Sequence, residues 1–287
     1  MIGDFIKLSR PKHWIKNVFV LMPAPFALAS GAEFQAVRFF VGLAAFCLAN
    51  SAVYSFNDAQ DAERDRLHDE KRNRPVAAGR ISERAAYAYA ALLVAAGTGL
   101  AYASGSTMAM VVFATYLVSN LFYSLKGKNI PLVDVFLLAG FFLLRFLLGC
   151  ALLGVAASNW LLLCSSALAL FLGLAKRRSD ILKGLDESHR PALMGYNEGF
   201  LDHAMGITAS MTIVAYALYS MEAEVLADGR EFASLPFVVF GVLDILRKAH
   251  VERAGGSPVD LLLGSPSLIA GGFGWLISTA WSVRLFG

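Results

Sequence analysis

Charge is scarce in this sequence. Asp, Glu, Lys and Arg make up 16% of its 287 residues and hydrophobic types 57%, against about 25% charged in ordinary soluble domains. That shortage excludes an ordinary soluble domain and makes an integral membrane protein the first expectation. The three cysteines, Cys47, Cys150 and Cys164, sit inside apolar runs with neither paired nor metal-ligand spacing, so they read as small core residues. His13, His68, His189, His203 and His250 lack metal-like spacing with one another. No Ser-His-Asp arrangement, nucleophile elbow or phosphate-binding glycine loop is present. Low-complexity tracts and convincing internal repeats are missing too. The net charge is only +3, and the basic residues fall in short loops instead of one stripe, which gives no case for nucleic acid. Nor is any short apolar stretch followed by a small-residue cleavage site, so a removable leader is not expected.

What the chain has in quantity is apolar length. Runs of about 17 to 25 residues recur from end to end, each long enough to cross the hydrocarbon core of a bilayer as a helix. The expected fold is all-α, with about nine spans near 16–32, 36–56, 84–104, 107–125, 131–154, 159–175, 204–222, 232–248 and 266–285, in a single domain over 1–287. All of the 25 Lys and Arg except Arg38, Arg145, Arg230 and Arg284 then fall in segments on one side. The positive-inside rule puts that side, and the amino terminus, in the cytoplasm. The long loops 57–83, 176–203 and 249–265 share this face, so chemistry is expected there.

The densest charge is "NDAQDAERDRLHDEKRNRP", from Asn57 to Pro75. Asp58, Asp61 and Asp65 are spaced i, i+3 and i+7, which puts three carboxylates on one face of a helix continuing out of the second span. They repel unless a cation joins them. A hard divalent ion such as Mg²⁺, with Mn²⁺ as the alternative, takes a few carboxylates and shares its other ligands with substrate phosphates. Asn57 adds a neutral amide at the membrane edge. Lys71, Arg72 and Arg74 follow as donors for phosphate oxygens. The competing reading is a solvated interfacial loop whose bases only serve topology.

Other bases sit at the same face. Lys12, Lys16 and Asn17 lie at the mouth of the first span, and Lys176, Arg177 and Arg178 at that of the sixth. Both groups suit anion capture or ordinary interfacial anchoring. Arg145, inside "GFFLLRFLLG", needs a carboxylate, a phosphate or a watery cavity, with Asp134 on the same span as one candidate and snorkelling to the interface as the alternative. Asn120 and Tyr123 end the fourth span at this face, placed either to orient a substrate or to serve as interfacial belt residues.

"NDAQDAERD" fits the Asn-Asp-x-x-Asp-x-x-x-Asp motif of the UbiA superfamily of intramembrane prenyltransferases. The stretches "SRPKHWIKNVFVLMP", "YSLKGKNIPLVDVFLLAGFFLLR", "LGLAKRRSDI" and "GGSPVDLLL" resemble its branch of polyprenyl-phosphate phosphoribosyltransferases. The resemblance implies nine helices and a cytoplasmic site in a bacterial inner membrane. It also implies Mg²⁺-dependent transfer of 5-phosphoribose from phosphoribosyl diphosphate to a polyprenyl (decaprenyl-like) phosphate, releasing diphosphate, in service of cell-envelope biosynthesis. On that basis Asp58 and Asp61, with Asp65 directly or through water, hold the metal. Lys16, Asn17, Arg72 and Arg74 take phosphates of donor or acceptor, Lys176 and Arg177 the donor's phosphates, and Arg145 a phosphate deep in the cavity. Conventional prenyltransferases carry a second motif, Asp-x-x-x-Asp, after the sixth helix. Here Asp180 and Asp186 are six apart, which departs from it and favours phosphoribosyl transfer over prenyl transfer to an aromatic or other acceptor. The rival of another class is an anion or lipid transporter built around Arg145.

Overall fold

The computed structural model describes residues 2–67, 71–185, 191–252 and 264–283, all helices and connections with no named strand among them. The stretch "GGSPVDLLL" and residues Asp186, Arg190, His68 and His189 lie outside the described residues. Among the described residues, six helices are long and apolar enough to cross a membrane: α3 (Ala36–Gln60), α5 (Glu83–Ala103), α6 (Thr107–Leu125), α7 (Val133–Leu153), α8 (Asn159–Leu182) and α9 (Glu198–Glu222). Shorter elements are α1 (Ile2–Ser9), α2 (Ala24–Ala29), α4 (Ala62–Arg66), α10 (Leu235–His250) and α11 (Pro266–Ser282).

The differences from the expected spans have local causes. The run at 16–32 is not one helix: a 3₁₀ helix over Pro11–Val20 is followed by a turn and then α2. Pro23 and Pro25 lack the amide N–H that a continuous helix would need there. The expected spans at 232–248 and 266–285 form helices of 16 and 17 residues. By contrast α3 outruns its apolar stretch to Gln60, and α8 runs on to Leu182, so Asn57, Asp58 and Lys176 to Asp180 are helical. Four starts follow local capping rules. Ser82, Ser158, Asn197 and Ser265 each accept a hydrogen bond from the amide three residues on, at the heads of α5, α8, α9 and α11.

The described chain divides into two compact units. The first comprises residues 1–24, 32–124 and 144–155. In it α3 packs along α5, and α1 and the 3₁₀ helix lie against α3. Small residues allow close approach, as membrane helices require in the absence of a hydrophobic drive between them. A Cβ at Gly149 would come within 2.2 Å of the Val20 carbonyl oxygen, and one at Gly42 within 2.4 Å of Leu152. Leu8, Ala59, Ala62, Val76, Ile81 and Ala86 form a buried cluster that fixes the charged loop after α3 against α1 and α5.

The second unit comprises 25–31, 125–143 and 156–287. Here α8 packs along α9, with α10 and α11 alongside, around Phe171, Leu174, Leu201, Met205 and Val242. The helix α7 contributes its first half to this unit and its second half to the other.

Candidate active site

A polar seam runs along one face of α3. Asn50, Tyr54, Asp58, Asp61 and Asp65 recur at helical spacing, so one side of a largely apolar helix, and the short charged helix that continues it, carries amide, phenol and carboxylates. The helix ends at Gln60, yet the Asp61 amide still donates to the Asn57 carbonyl (2.9 Å) and the Asp65 amide to the Asp61 carbonyl (2.8 Å). The short α4 thus continues nearly in register and returns Asp65 to the face of Asp58.

These two carboxylates meet cations. The Nη1 group of Arg74 donates to Asp65 Oδ2 at 2.6 Å and to Asp58 Oδ1 at 3.3 Å, and Arg10 Nη2 also donates to Asp58 Oδ1. Asp58 is 2% exposed, and a carboxylate buried so deeply demands such partners. Arg74 is brought back by the compact turn after the 3₁₀ residues Lys71–Asn73, held by the Ala78 amide on the Arg74 carbonyl at 2.8 Å. Arg10 stands in the left-handed region (φ 47°) between α1 and the 3₁₀ helix, just before Pro11, with its guanidinium 4.9 Å from the Tyr54 ring centre. Burial pushes its pKa below the ordinary value, against the opposing pull of Asp58.

Deeper on the same face lies a second charge. Arg145, 4% exposed, donates from Nε to Asn17 Oδ1 (3.0 Å) and from Nη2 to Asn50 Oδ1 (2.9 Å), with its guanidinium 5.6 Å from the ring centres of both Phe46 and Tyr116. Asn50 also donates to the Phe46 carbonyl, which fixes its amide orientation. At about 1.5 Å per residue, Asn50 lies roughly 12 Å along α3 from Asp58. Trp14 Nε1 bonds Ser51 Oγ (3.0 Å), and Ser51 Oγ bonds the Ser9 carbonyl (2.8 Å), so the amino-terminal segment is tied to the seam between the two charged ends.

The structure therefore brings Asp58, Asp65 and Arg74 together at one end, and Asn17 and Arg145 at the other. Asn57 is half-buried, and its Oδ1 makes no hydrogen bond among the described residues. Lys16, Asp61 and Tyr123 are half-buried, whereas Arg72 is exposed. Among the described residues no three carboxylate, imidazole or thiol groups converge as a ready metal cage.

Lys176 and Arg177 belong to the second unit. Arg177 is fully buried: Nε bonds Asp134 Oδ2 (2.7 Å) and Nη1 bonds Asp180 Oδ2 (2.8 Å), while Tyr196 donates its hydroxyl to Asp134 Oδ1 (2.6 Å). Asp134, one candidate partner for Arg145 in the sequence, is engaged here instead. Arg178 bonds Asp202 (2.5 Å) and the Ala249 carbonyl (2.6 Å). Two of the three bases opening this loop thus hold carboxylates of their own unit.

Sequence reasoning missed Arg10, Asn50 and Tyr54 as members of the seam. The signal for Asn50 and Tyr54 was their spacing back from Asp58 on one helix face. Arg10 had none beyond its neighbouring proline, because a left-handed residue is a tertiary choice.

The family model of UbiA prenyltransferases matches residues 17–227. A decaprenyl-phosphate phosphoribosyltransferase of Corynebacterium glutamicum is 30% identical, over 99% of this chain and 88% of its own. The enzyme of the same name from Mycobacterium tuberculosis is 29% identical, over 100% and 96%. Among solved structures, a UbiA homologue from Archaeoglobus fulgidus bound to GPP and Mg²⁺ superposes with a TM-score of 0.73 over 96% of this chain and 98% of that one, at 21% identity. With the fold, the seam and this coverage together, the chain belongs to the UbiA prenyltransferase family.

Proposed function

We propose that this membrane transferase moves 5-phosphoribose from 5-phosphoribosyl 1-diphosphate to the phosphate of a polyprenyl, decaprenyl-like phosphate, releasing diphosphate. The observation that carries the reading is the seam on α3, with paired carboxylates at its end and a buried arginine deeper on the same face. A water-soluble diphosphate suits the first and a lipid-borne phosphate the second. The full-length relatives named decaprenyl-phosphate phosphoribosyltransferase support the substrate class.

The donor set fits a hard divalent ion. Asp58 and Asp65 already converge on one guanidinium, and Mg²⁺ needs only one or two carboxylates when substrate phosphates complete its shell. Asp58 and Asp61, with Asp65 directly or through water, would hold Mg²⁺, or Mn²⁺ in its place. When bound, the ion supplies Lewis-acid stabilisation of the departing diphosphate. Mg²⁺ in the Archaeoglobus homologue supports this assignment.

In the transfer, the bond from ribose C1 to the diphosphate oxygen breaks and its electron pair leaves with diphosphate. An oxygen of the lipid phosphate forms the new bond to C1. That phosphate is already anionic at neutral pH, so the residues must align and desolvate it, and no general base is required. Arg72, Arg74, Lys16 and Asn17 bind phosphate groups of donor or acceptor, Asn57 and Tyr123 orient them, and Arg145 takes the deepest phosphate. Lys176 and Arg177 serve the donor's phosphates, Arg177 from a position fixed by Asp134 and Asp180. The chain acts as a single UbiA-like domain of nine spanning helices in a bacterial inner membrane, with amino terminus and site on the cytoplasmic side. The distribution of Lys and Arg supports that orientation.

The test is purified protein in detergent with Mg²⁺, polyprenyl phosphate and labelled phosphoribosyl diphosphate, followed by extraction of the lipid. Chelator-sensitive label in the organic phase is the expected result. A parallel arm offers a prenyl diphosphate and an aromatic acid. Product only in that arm would reverse donor and acceptor and make the protein a conventional prenyltransferase.

A further inference from the structure

The back of α3, turned away from the polar seam, faces a groove of about 450 Å³ in the first unit. At 100° per residue, Ala52 and Phe56 lie on the side of the helix opposite Tyr54, Asp58 and Asp65, with Val53 on the flank beside them. Ala91 and Val94 of α5 and Leu121 of α6 complete the shaft. All of these elements are membrane-spanning helices by length and composition. The groove is therefore separate from the acid seam and opens where the bilayer lies.

Its two ends differ. Val94 and Leu117 line the deep end, whereas Tyr87, Ser124 and the end of α3 mark the other. Beside that end the Tyr87 hydroxyl donates to Gln60 Oε1 at 3.1 Å. Arg84, exposed, lies one turn before Tyr87 on the same side of α5. Glu83 at this rim is paired with Arg66 at 3.4 Å. An apolar shaft with a polar rim and a cation at one end has the shape and polarity of a lipid site.

Ser124 identifies the chemistry further. Serines in these helices bond the carbonyl four residues back, as Ser119, Ser166, Ser210 and Ser278 do. Ser124 is 2% exposed, lines the groove, and its Oγ has no hydrogen-bond partner among the described residues. A buried hydroxyl left so has given up its water without gaining a partner. An ester carbonyl at the head of an acyl chain would accept its proton. A polyprenyl phosphate has no such carbonyl.

We propose that this groove binds one bilayer phospholipid, with an acyl chain between α3, α5 and α6, its ester carbonyl on Ser124 and its phosphate at Arg84. The lipid braces α3 from behind while the seam works on its other face. It is a site for a structural lipid and not for the substrate.

Native mass spectrometry of the full chain, purified in detergent and re-exposed to phosphatidylglycerol, tests this. The wild type is expected to retain a single phospholipid. Ala91→Trp, which fills the shaft from an exposed position, loses it, while Ala96→Trp on another side of α5 keeps it. Arg84→Gln, a surface change that leaves the packing intact, weakens retention about ten-fold, the scale of one charge-assisted hydrogen bond. Unchanged retention in Ala91→Trp or in Arg84→Gln would overturn the proposal. So would one-for-one displacement of the phospholipid by polyprenyl phosphate, which would give the groove to the substrate.

Discussion

Arg74 joins Asp58 to Asp65: one Nη1 group lies 2.6 Å from Asp65 and 3.3 Å from Asp58, so a single cation ties the last turn of α3 to α4. Two acids seven residues apart are held on one face by a base from the loop beyond them. Replacing Asp58 or Asp61 with Ala is expected to abolish phosphoribosyl transfer at any Mg²⁺ concentration while the folded protein remains extractable. Label transfer to lipid, measured across a Mg²⁺ titration, checks this. Normal turnover in either variant would remove the metal assignment.

Arg145 has two asparagine oxygens within 3.0 Å. Asn50→Leu takes one acceptor from a buried guanidinium and is expected to cost about 1–3 kcal/mol. Arg145→Lys keeps the charge but not the planar fork that spans Asn17 and Asn50, so transfer should fall at least about ten-fold, with a smaller loss of stability. Thermal unfolding in detergent and steady-state kinetics separate the two effects.

The pair Asp134 and Arg177 is fully buried at both side chains. Asp134→Asn takes one of two carboxylates from the buried guanidinium and leaves Asp180 on Nη1, so it should destabilise by about 1.5–3 kcal/mol, the scale of a charged hydrogen bond. Tyr196→Phe loses the hydroxyl that donates to Asp134 and accepts from the Leu132 amide at 2.6 Å, and should cost about 1–2 kcal/mol. The double variant should fall short of the sum, since both act on one network. Denaturant unfolding of the three proteins measures the coupling.

Two glycines of α7 make a matched pair. A Cβ at Gly149 would collide with the Val20 carbonyl, a backbone atom, whereas one at Gly140 has nothing within 4 Å. Gly149→Ala should lower stability by about 1–3 kcal/mol through overpacking. Gly140→Ala should be neutral or slightly stabilising, because alanine favours the helix. Melting temperatures of the two variants decide it.

Asp4 accepts from Arg80 Nε at 2.9 Å, and that hydrogen bond holds its pKa below the usual carboxylate value. A depressed folded-state pKa adds stability above the unfolded value, and this is lost as pH falls through the folded one. Asp4→Asn should therefore narrow its stability difference from the wild type on going from neutral pH to below pH about 3. The effect should be small, because the pair is solvent-exposed.

Much of this architecture was legible in the order of residues. Of the nine apolar runs of bilayer length, six coincide with described helices long and apolar enough to span, since a helix in hydrocarbon satisfies its own backbone and needs only sufficient length. The spacing of Asp58 and Asp65 placed them on one face. These signals lie within a few turns of chain. The broken segment after Pro11 was harder to read, because hydropathy is blind to the amide donors that Pro23 and Pro25 withhold.

Which charge meets which was decided by tertiary structure alone. Asn17 and Arg145 are 128 residues apart, Asp134 and Arg177 are 43, and Arg10 reaches Asp58 across 48. Periodicity fixes the face a residue occupies on its own helix but not the rotation of one helix against another. Burial then selects the partners, because in a low-dielectric interior each guanidinium must find acceptors wherever packing brings them.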